Sequence, residues 1–193
     1  SSNAEARTVR WGDSESGTWE HGEKYFKTEE DVFAFDPLQH ADMRDWPHVV
    51  ENWDFSSEEA IYERLRRGYP ADRLTAPPET EASSGFYNTT FMWPMLTFGW
   101  EMFLACCLDK RFEPVMAGFA EINRRVFKAI SRLPVHFVVC HDDIVMTRGP
   151  VCSPEWMHKY VFPRYEEYWS LLRDTGKSVI FMTDGCADAF VDD

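Results

Sequence analysis

The chain has 193 residues, of which 44% are hydrophobic, so it is long enough to form one domain with a sizeable core. Its formal net charge of −13 disfavours nucleic acids and anionic membrane surfaces as partners, because both are bound through a surplus of Lys and Arg. No apolar run approaches the roughly 18 residues that a membrane-spanning helix needs, which predicts a globular protein with no membrane partner.

Two further features predict the cellular setting. The five cysteines are odd in number and include no Cys-x-x-Cys pair, which favours buried free thiols in a reducing compartment over disulfides. Residues 1–4 (Ser-Ser-Asn-Ala) are typical of the remnant of a cleaved expression tag, and no secretion signal follows them. We therefore set these four residues apart and expect a cytoplasmic protein.

Residues 5–84 are predicted to form the loop- and helix-rich first part of the domain. Thr8–Trp11 is a candidate strand, and the aromatic segment Gly17–Phe26 is typical of a hairpin or loop. Helices are expected to begin after Thr28 and Ser57, since a hydroxyl at either position can accept a hydrogen bond from a free backbone N–H group of the first turn.

The middle of the chain contains a connection, a strand and two helices. The helix that begins after Ser57 is predicted to end at Gly68. Residues 70–84, which are rich in Pro and small polar side chains, are then predicted to form an exposed connection. Phe86–Met92 is aromatic and rich in Thr, which favours a strand. Trp100–Leu108 is predicted to form a short apolar helix, and residues 113–132 a longer helix with apolar side chains along one face.

The last third of the chain contains two apolar runs separated by a helix. Val135–Cys140 and Ser178–Met182 are predicted strands, and the helix between them begins with Ser153 as its N-cap and kinks at Pro163. This order favours a parallel sheet, in which neighbouring strands deliver their carboxyl ends to one edge. The polar residues that follow the two strands are His141, Asp142, Asp143 and Asp184.

A set of short motifs lies in residues 85–193, which we treat as the second part of the domain. The motifs are Phe98-Gly99-Trp100-Glu101, His141-Asp142-Asp143, Arg148-Gly149-Pro150, Ser153-Pro154-Glu155, Pro163 and Asp184-Gly185. Together they resemble the uroporphyrinogen decarboxylase superfamily. This superfamily includes the decarboxylase itself and the methyltransferases that exchange methyl groups with corrinoid proteins.

The resemblance implies a (β/α)8 TIM barrel, for which about 250 residues are typical. We therefore expect an α/β fold in which residues 85–193 form part of such a barrel, a parallel sheet with flanking helices that is truncated relative to the full barrel. Either the chain is a fragment of a longer protein, or it folds as a partial barrel that must cover its open sheet edge, for which self-association is the favoured way. Because members of the family tend to dimerise, the resemblance also implies a homodimer.

The predicted site offers acid–base chemistry. Clustered carboxylates in a partly dry site raise one another's pKa, so Asp142 and Asp184 are the candidate catalytic groups. Asp143, His141 and Arg148 are candidate substrate-binding groups, and the planar fork of Arg148 suits a substrate carboxylate. The alternative for the aspartates is helix capping or turn formation, and for Arg148 an ion pair with one of them.

Two aromatic side chains, Phe86 and Trp93, are candidates for the walls of a flat substrate pocket. The resemblance implies a tetrapyrrole or an aryl methyl ether as the ligand of such a pocket. Packing in the hydrophobic core is the alternative for both rings, because large aromatic side chains bury much apolar surface.

The methyltransferase branch of the family binds zinc through a His-x-Cys motif and a later Cys. Met182 and Asp184 occupy the matching positions here, so we predict no metal ligand and no tightly bound cofactor. Cys140, His141 and Cys186 have suitable atoms, but their spacing matches no closed zinc site. A corrinoid, where one is used, is expected on a partner protein.

The resemblance leaves three functions open. Methyl transfer between a methylated corrinoid and a small acceptor is favoured, because the sequence shows no cluster of arginines for a porphyrinogen with many carboxylates; Asp142 and Asp184 would then orient or protonate the small substrate. Decarboxylation of uroporphyrinogen is the second, with one of these aspartates stabilising the cationic pyrrole formed as carbon dioxide leaves. The third is a non-catalytic half-barrel that binds a ligand without turnover.

Overall fold

The computed structural model describes residues 8–11, 14–17, 25–44, 53–68, 83–87 and 89–193. Within these ranges the chain forms a mixed α/β fold, in which helices pack on one face of a three-stranded parallel sheet. In the same ranges, no helix is both long enough and apolar enough to cross a membrane.

The strands of the described residues are, in chain order, β1 (Thr8–Trp11), β2 (Ser14–Gly17), β3 (Ser83–Tyr87), β4 (Phe137–His141), β5 (Val145–Met146), β6 (Gly149–Pro150) and β7 (Ser178–Met182). The helices are α1 (Glu29–Phe33), α2 (Glu58–Arg67), α3 (Met92–Phe98), α4 (Trp100–Cys106), α5 (Glu113–Ser131), α6 (Pro154–Tyr160) and α7 (Phe162–Arg173).

The main sheet has the strand order β3–β4–β7, and both of its pairings are parallel. This confirms the parallel arrangement predicted for the two apolar runs in the last third of the chain. The sheet is open, so the described residues form no closed barrel. β1 pairs with β2, and β5 with β6, in separate antiparallel hairpins.

The two faces of the sheet lie in different environments. Phe86, Cys140 and Phe181 are in register and face the helices, where Phe86 and Cys140 are each only 1% exposed. On the other face Val139 and Ile180 are in register, and Ile180 is 46% exposed. We call this second surface the open face; its described side chains are Ser83, Phe137, Val139, His141, Ser178, Ile180 and Met182.

Capping residues set several helix boundaries, as the sequence predicts. The hydroxyls of Thr28, Ser57 and Ser153 each accept a hydrogen bond from a backbone N–H of the first turn that follows. The kink predicted at Pro163 is present as the break between α6 and α7. Proline has no backbone N–H group to donate to the preceding turn, which explains the break.

The strand predicted over Phe86–Met92 is wrong in its second half, because β3 ends at Tyr87 and α3 begins at Met92. The backbone N–H groups of Phe91 and Met92 donate to the carboxylate of Asp142, at 2.9 and 2.6 Å, and this turns the chain into the helix. A short apolar run does not distinguish a buried strand from a buried helix by its periodicity.

The boundaries of the first part of the domain also differ from the prediction. Ser83 and Ser84, expected at the end of an exposed connection, belong to β3. Residues 18–24 of the predicted aromatic hairpin and residues 69–82 of the connection lie outside the described residues.

The core joins both parts of the chain. Helix α5, predicted from its apolar face, is confirmed, and its residues Phe119, Val126 and Ile130 are fully buried. The ring of Phe55, from the first part, lies 4.8 Å from that of Trp93 in α3. Such aromatic contacts bury large apolar areas, so the two parts stabilise one another.

Candidate functional site

The loops that follow β4 and β7 meet at the carboxyl edge of the sheet. The backbone N–H of Asp142 donates to the carbonyl oxygen of Met182 at 3.2 Å. The backbone N–H of Asp184 donates to Asp143 Oδ1 at 3.0 Å. These two hydrogen bonds hold the loops together, so the polar residues predicted from both strands do lie at one edge.

Three polar side chains gather on the open-face side of this edge. His141 Nε2 lies 3.1 Å from Asp143 Oδ1, and one potential ligand atom of each of His141, Asp143 and Asp184 lies within 4.8 Å of the other two. The side chains of His141 and Asp143 are 17% and 34% exposed, and Asp184 is exposed. We call these three residues the edge cluster. Solvent and small molecules can reach it.

Asp142 lies beneath this edge and has no exposed surface. Its carboxylate accepts a hydrogen bond from the hydroxyl of Thr89 and another, at 2.6 Å, from that of Tyr165. It also accepts the backbone N–H groups of Phe91 and Met92. Asp142 therefore holds the start of α3 and the side of α7 against the end of β4.

The electrostatics of Asp142 follow from this enclosure. Burial raises the pKa of Asp142 above its usual range, and the four donated hydrogen bonds oppose that rise because they stabilise the charged form. Burial and the adjacent carboxylate of Asp142 also raise the pKa of Tyr165 well above its usual value. A carboxylate so enclosed has no surface on which to meet a substrate, so we assign it a positioning role.

The sequence paired Asp142 with Asp184, whereas the structure brings Asp143 and His141 to Asp184. Sequence reasoning missed the pairing of His141 with Asp143, although a usable signal was present. Side chains alternate between the two faces of a strand, so residues 141 and 143 share one side and residue 142 takes the other.

The β5–β6 hairpin lies next to the edge cluster and carries Arg148 in its turn. The backbone N–H of Cys186 donates to the carbonyl oxygen of Met146 at 2.9 Å, which holds the hairpin in place. Gly185 permits this approach, since a Cβ there would lie only 2.6 Å from that oxygen and its φ is +141°. Arg148 is exposed and forms no ion pair with any described residue, so it remains available to an anionic ligand.

Phe86 and Trp93 lie in the core rather than at the edge. They are 1% and 2% exposed, and their ring centroids are 5.7 Å apart. Phe86 faces the helices with Cys140, on the side of the sheet away from His141. Their burial supports core packing, the alternative that the sequence left open.

The cysteines do not join the edge cluster in a thiolate metal site. All five are free, and Cys140 lies on the helix-facing side of β4, opposite to His141. Burial raises the pKa of the Cys140 thiol to about 12, so at neutral pH it is a protonated core residue.

The chain has no match among known proteins that would add to this geometry. No known protein family matches it, and no curated protein or solved structure is significantly similar to it.

Proposed function

We propose that the chain is a cytoplasmic enzyme similar to the uroporphyrinogen decarboxylase superfamily, with a partial barrel fold, and that it transfers a methyl group between a methylated corrinoid and a small acceptor. The observation that carries the proposal is the 3.1 Å contact between His141 Nε2 and Asp143 Oδ1 at the carboxyl edge of a parallel sheet. An imidazole held by a carboxylate is suited to general base catalysis. The carboxyl edge is where parallel α/β enzymes place their reacting groups.

The chemistry requires a base, because an acceptor thiol, alcohol or phenol must lose its proton. In such a transfer a lone pair of the acceptor would form a bond to the methyl carbon, and the corrinoid would keep the electron pair of the broken cobalt–carbon bond and leave as cob(I)alamin. The acceptor proton would pass to the His141 imidazole, whose Nε2 faces Asp143. Asp143 then stabilises the imidazolium, and the exposed carboxylate of Asp184 orients the acceptor.

The open face supplies a surface for the methyl donor. Val139, Ile180 and Met182 form an apolar area beside the edge cluster, with Ile180 and Met182 46% and 43% exposed. A corrin ring is large and flat, and we expect a partner protein to carry it. Arg148 is the group that would receive an acidic part of the acceptor.

Demethylation of methylcobalamin tests the proposal. The protein is mixed anaerobically with methylcobalamin and a panel of small thiols and phenols, and formation of cob(I)alamin is followed by absorbance. We expect turnover with at least one acceptor, and a rate lower by about 100-fold in His141→Gln. His158→Gln is the matched control, since His158 is exposed and lies outside the edge cluster. Absence of turnover with every acceptor, or full activity in His141→Gln, would contradict the proposal.

Decarboxylation of uroporphyrinogen is the second candidate, and one observation favours it. Asp143 and Asp184 bring two carboxylates within 4.8 Å at the mouth of the site. Their negative charge would stabilise the cationic pyrrole that forms as carbon dioxide leaves. Product analysis with uroporphyrinogen separates the candidates, because this reaction yields carbon dioxide and a porphyrinogen with fewer carboxylates.

A non-catalytic half-barrel is the third candidate, favoured by the exposure of the open face. A binding module would shift the absorption spectrum of methylcobalamin without loss of its methyl group. It would also leave uroporphyrinogen unchanged, so the same two assays distinguish it from both enzymes.

A further inference from the structure

The edge cluster combines one imidazole with two carboxylates, brought together from the ends of two neighbouring strands. Catalytic zinc sites use three protein ligands with nitrogen or oxygen atoms of these types and leave a further position open for water or substrate. The imidazole nitrogen sets this group apart from the clusters of acidic side chains that are common on protein surfaces. The number and type of its ligand atoms fit a site for one metal ion.

Part of the cluster already has the spacing of a bound state. Zinc lies about 2.0–2.2 Å from its nitrogen and oxygen ligands in a tetrahedral arrangement, so two ligand atoms on one ion are about 3.4 Å apart. His141 Nε2 and Asp143 Oδ1, at 3.1 Å, are near this spacing. A pair at the outer limit of the cluster, 4.8 Å, would have to close by about 1.4 Å. Rotation of the exposed Asp184 side chain can supply that movement.

Charge provides a second, independent argument. No Lys or Arg within the described residues forms an ion pair with Asp143 or Asp184. With the His141 imidazole neutral, the carboxylates of Asp143 and Asp184 repel one another within 4.8 Å, and a divalent cation would relieve that repulsion. The backbone N–H of Asp184 meanwhile holds Asp143 Oδ1 at 3.0 Å, which limits the reorganisation that binding requires.

We propose that His141, Asp143 and Asp184 bind one divalent transition-metal ion, and that Zn²⁺ suits this mixed imidazole and carboxylate set. The ligands of this site differ from the His-x-Cys motif and later Cys through which the methyltransferase branch of the superfamily binds zinc. Ion binding by itself does not depend on the proposed function. The role of the ion in methyl transfer rests on the proposed function. With the ion bound, His141 is a ligand, and an acceptor at the open position loses its proton through the ion rather than through the imidazole.

Equilibrium dialysis against Zn²⁺ alone, followed by elemental mass spectrometry, tests the inference without corrinoid or acceptor. We expect one equivalent of zinc in the wild-type protein and at least a tenfold loss of affinity in Asp184→Asn. The Asp184 side chain is exposed and its backbone makes the structural contact, so this variant keeps the fold. Asp188→Asn, which changes an exposed acid in the same terminal segment, is the matched control and should retain the ion.

Two further measurements identify the ligands. Cys186→Ser should bind zinc as the wild type does, and Co²⁺ in place of Zn²⁺ should show no thiolate charge-transfer band. Equal binding by Asp184→Asn and Asp188→Asn, or loss of the ion in Cys186→Ser, would overturn the inference. A protein that binds zinc but fails to demethylate methylcobalamin refutes the proposed function and leaves the site standing. A protein that demethylates methylcobalamin but binds no zinc would refute the metal site and leave the proposed function standing.

Discussion

Asp142 and Asp143 are adjacent in the chain, yet their carboxylates lie on opposite sides of the parallel sheet. Asp142 is fully buried and binds Tyr165 and the start of α3, whereas Asp143 contacts His141 and the backbone of Asp184. One residue therefore holds the scaffold and the next faces the solvent. The edge cluster depends on both, because the loops that carry it rest on the contacts of Asp142.

The approach of Gly185 to Met146 predicts a stability effect. Gly185→Ala would place a Cβ 2.6 Å from the carbonyl oxygen of Met146 and would strain a φ of +141°. Gly149→Ala is the matched control, because Gly149 has a φ of +133° with nothing within 4 Å of the added Cβ. Backbone strain of this kind costs about 1–3 kcal/mol. We expect urea unfolding to show the loss in both variants and a larger loss in Gly185→Ala.

Equal losses in the two glycine variants would contradict the prediction, since they would show that the hairpin does not press on Gly185. The predicted difference reports only the contact between the hairpin and the loop after β7. A measurement of zinc binding in Gly185→Ala would show whether that contact also positions Asp184.

The sequence predicted the parts of the fold that depend on local patterns. The apolar runs Val135–Cys140 and Ser178–Met182 contain neighbouring parallel strands, as predicted. The strands of a parallel sheet are typically continuous apolar runs, so the local sequence is enough to predict them. The start of α3 was missed because Asp142, about 50 positions along the chain from Met92, fixes it, and no local pattern carries that information. The truncated barrel and the family resemblance remain predictions.

The polar residues predicted from the two strands lie at one edge of the sheet, but His141, Asp143 and Asp184 meet there while Asp142 is buried beneath them. Asp142 was chosen for catalysis because carboxylates after a strand are common at active sites. Its four hydrogen-bond donors come from segments distant in the sequence, so its burial was not visible there. Alternation along β4 would have grouped His141 with Asp143.

Thiol reactivity should follow burial. Burial raises the pKa of Cys106 to about 11 and that of Cys140 to about 12. At pH 9 a thiol with the higher value is ionised to about one part in a thousand, and the thiolate is the reactive form. We expect iodoacetamide at pH 9 to label the half-buried Cys186 well before Cys140, with labelling of Cys140 rising as the pH approaches 12.

Peptide mass spectrometry measures this labelling site by site, and the same reaction in urea provides the control, since unfolding should make the five cysteines react alike. Native-state labelling of Cys140 at the rate of Cys186 would show that the core around β4 is open.

β7 forms one edge of the sheet among the described residues, and this edge and the apolar open face favour self-association, in line with the homodimer implied by the family resemblance. Ile180 and Met182 are 46% and 43% exposed. We expect light scattering after gel filtration to give twice the chain mass of 22.6 kDa, and Ile180→Lys to shift the protein toward single chains. Leu108→Lys, at a side chain 81% exposed outside the sheet, should leave the dimer intact. A single-chain mass at every concentration would contradict the homodimer.

The free energies of unfolding of Asp142→Asn and Asp143→Asn, measured side by side in urea, test the division of roles between these neighbours. The amide NH2 of an Asn at position 142 would face the hydroxyl and backbone N–H groups that donate to the Asp142 carboxylate. Some of these buried donors would then have no acceptor. We expect this variant to lose about 1–3 kcal/mol. Because Asp143 is solvent-accessible, its variant should lose less than about 1 kcal/mol. Equal losses, or a larger loss in Asp143→Asn, would show that Asp142 does not hold the scaffold and that Asp143 is not free to serve the site.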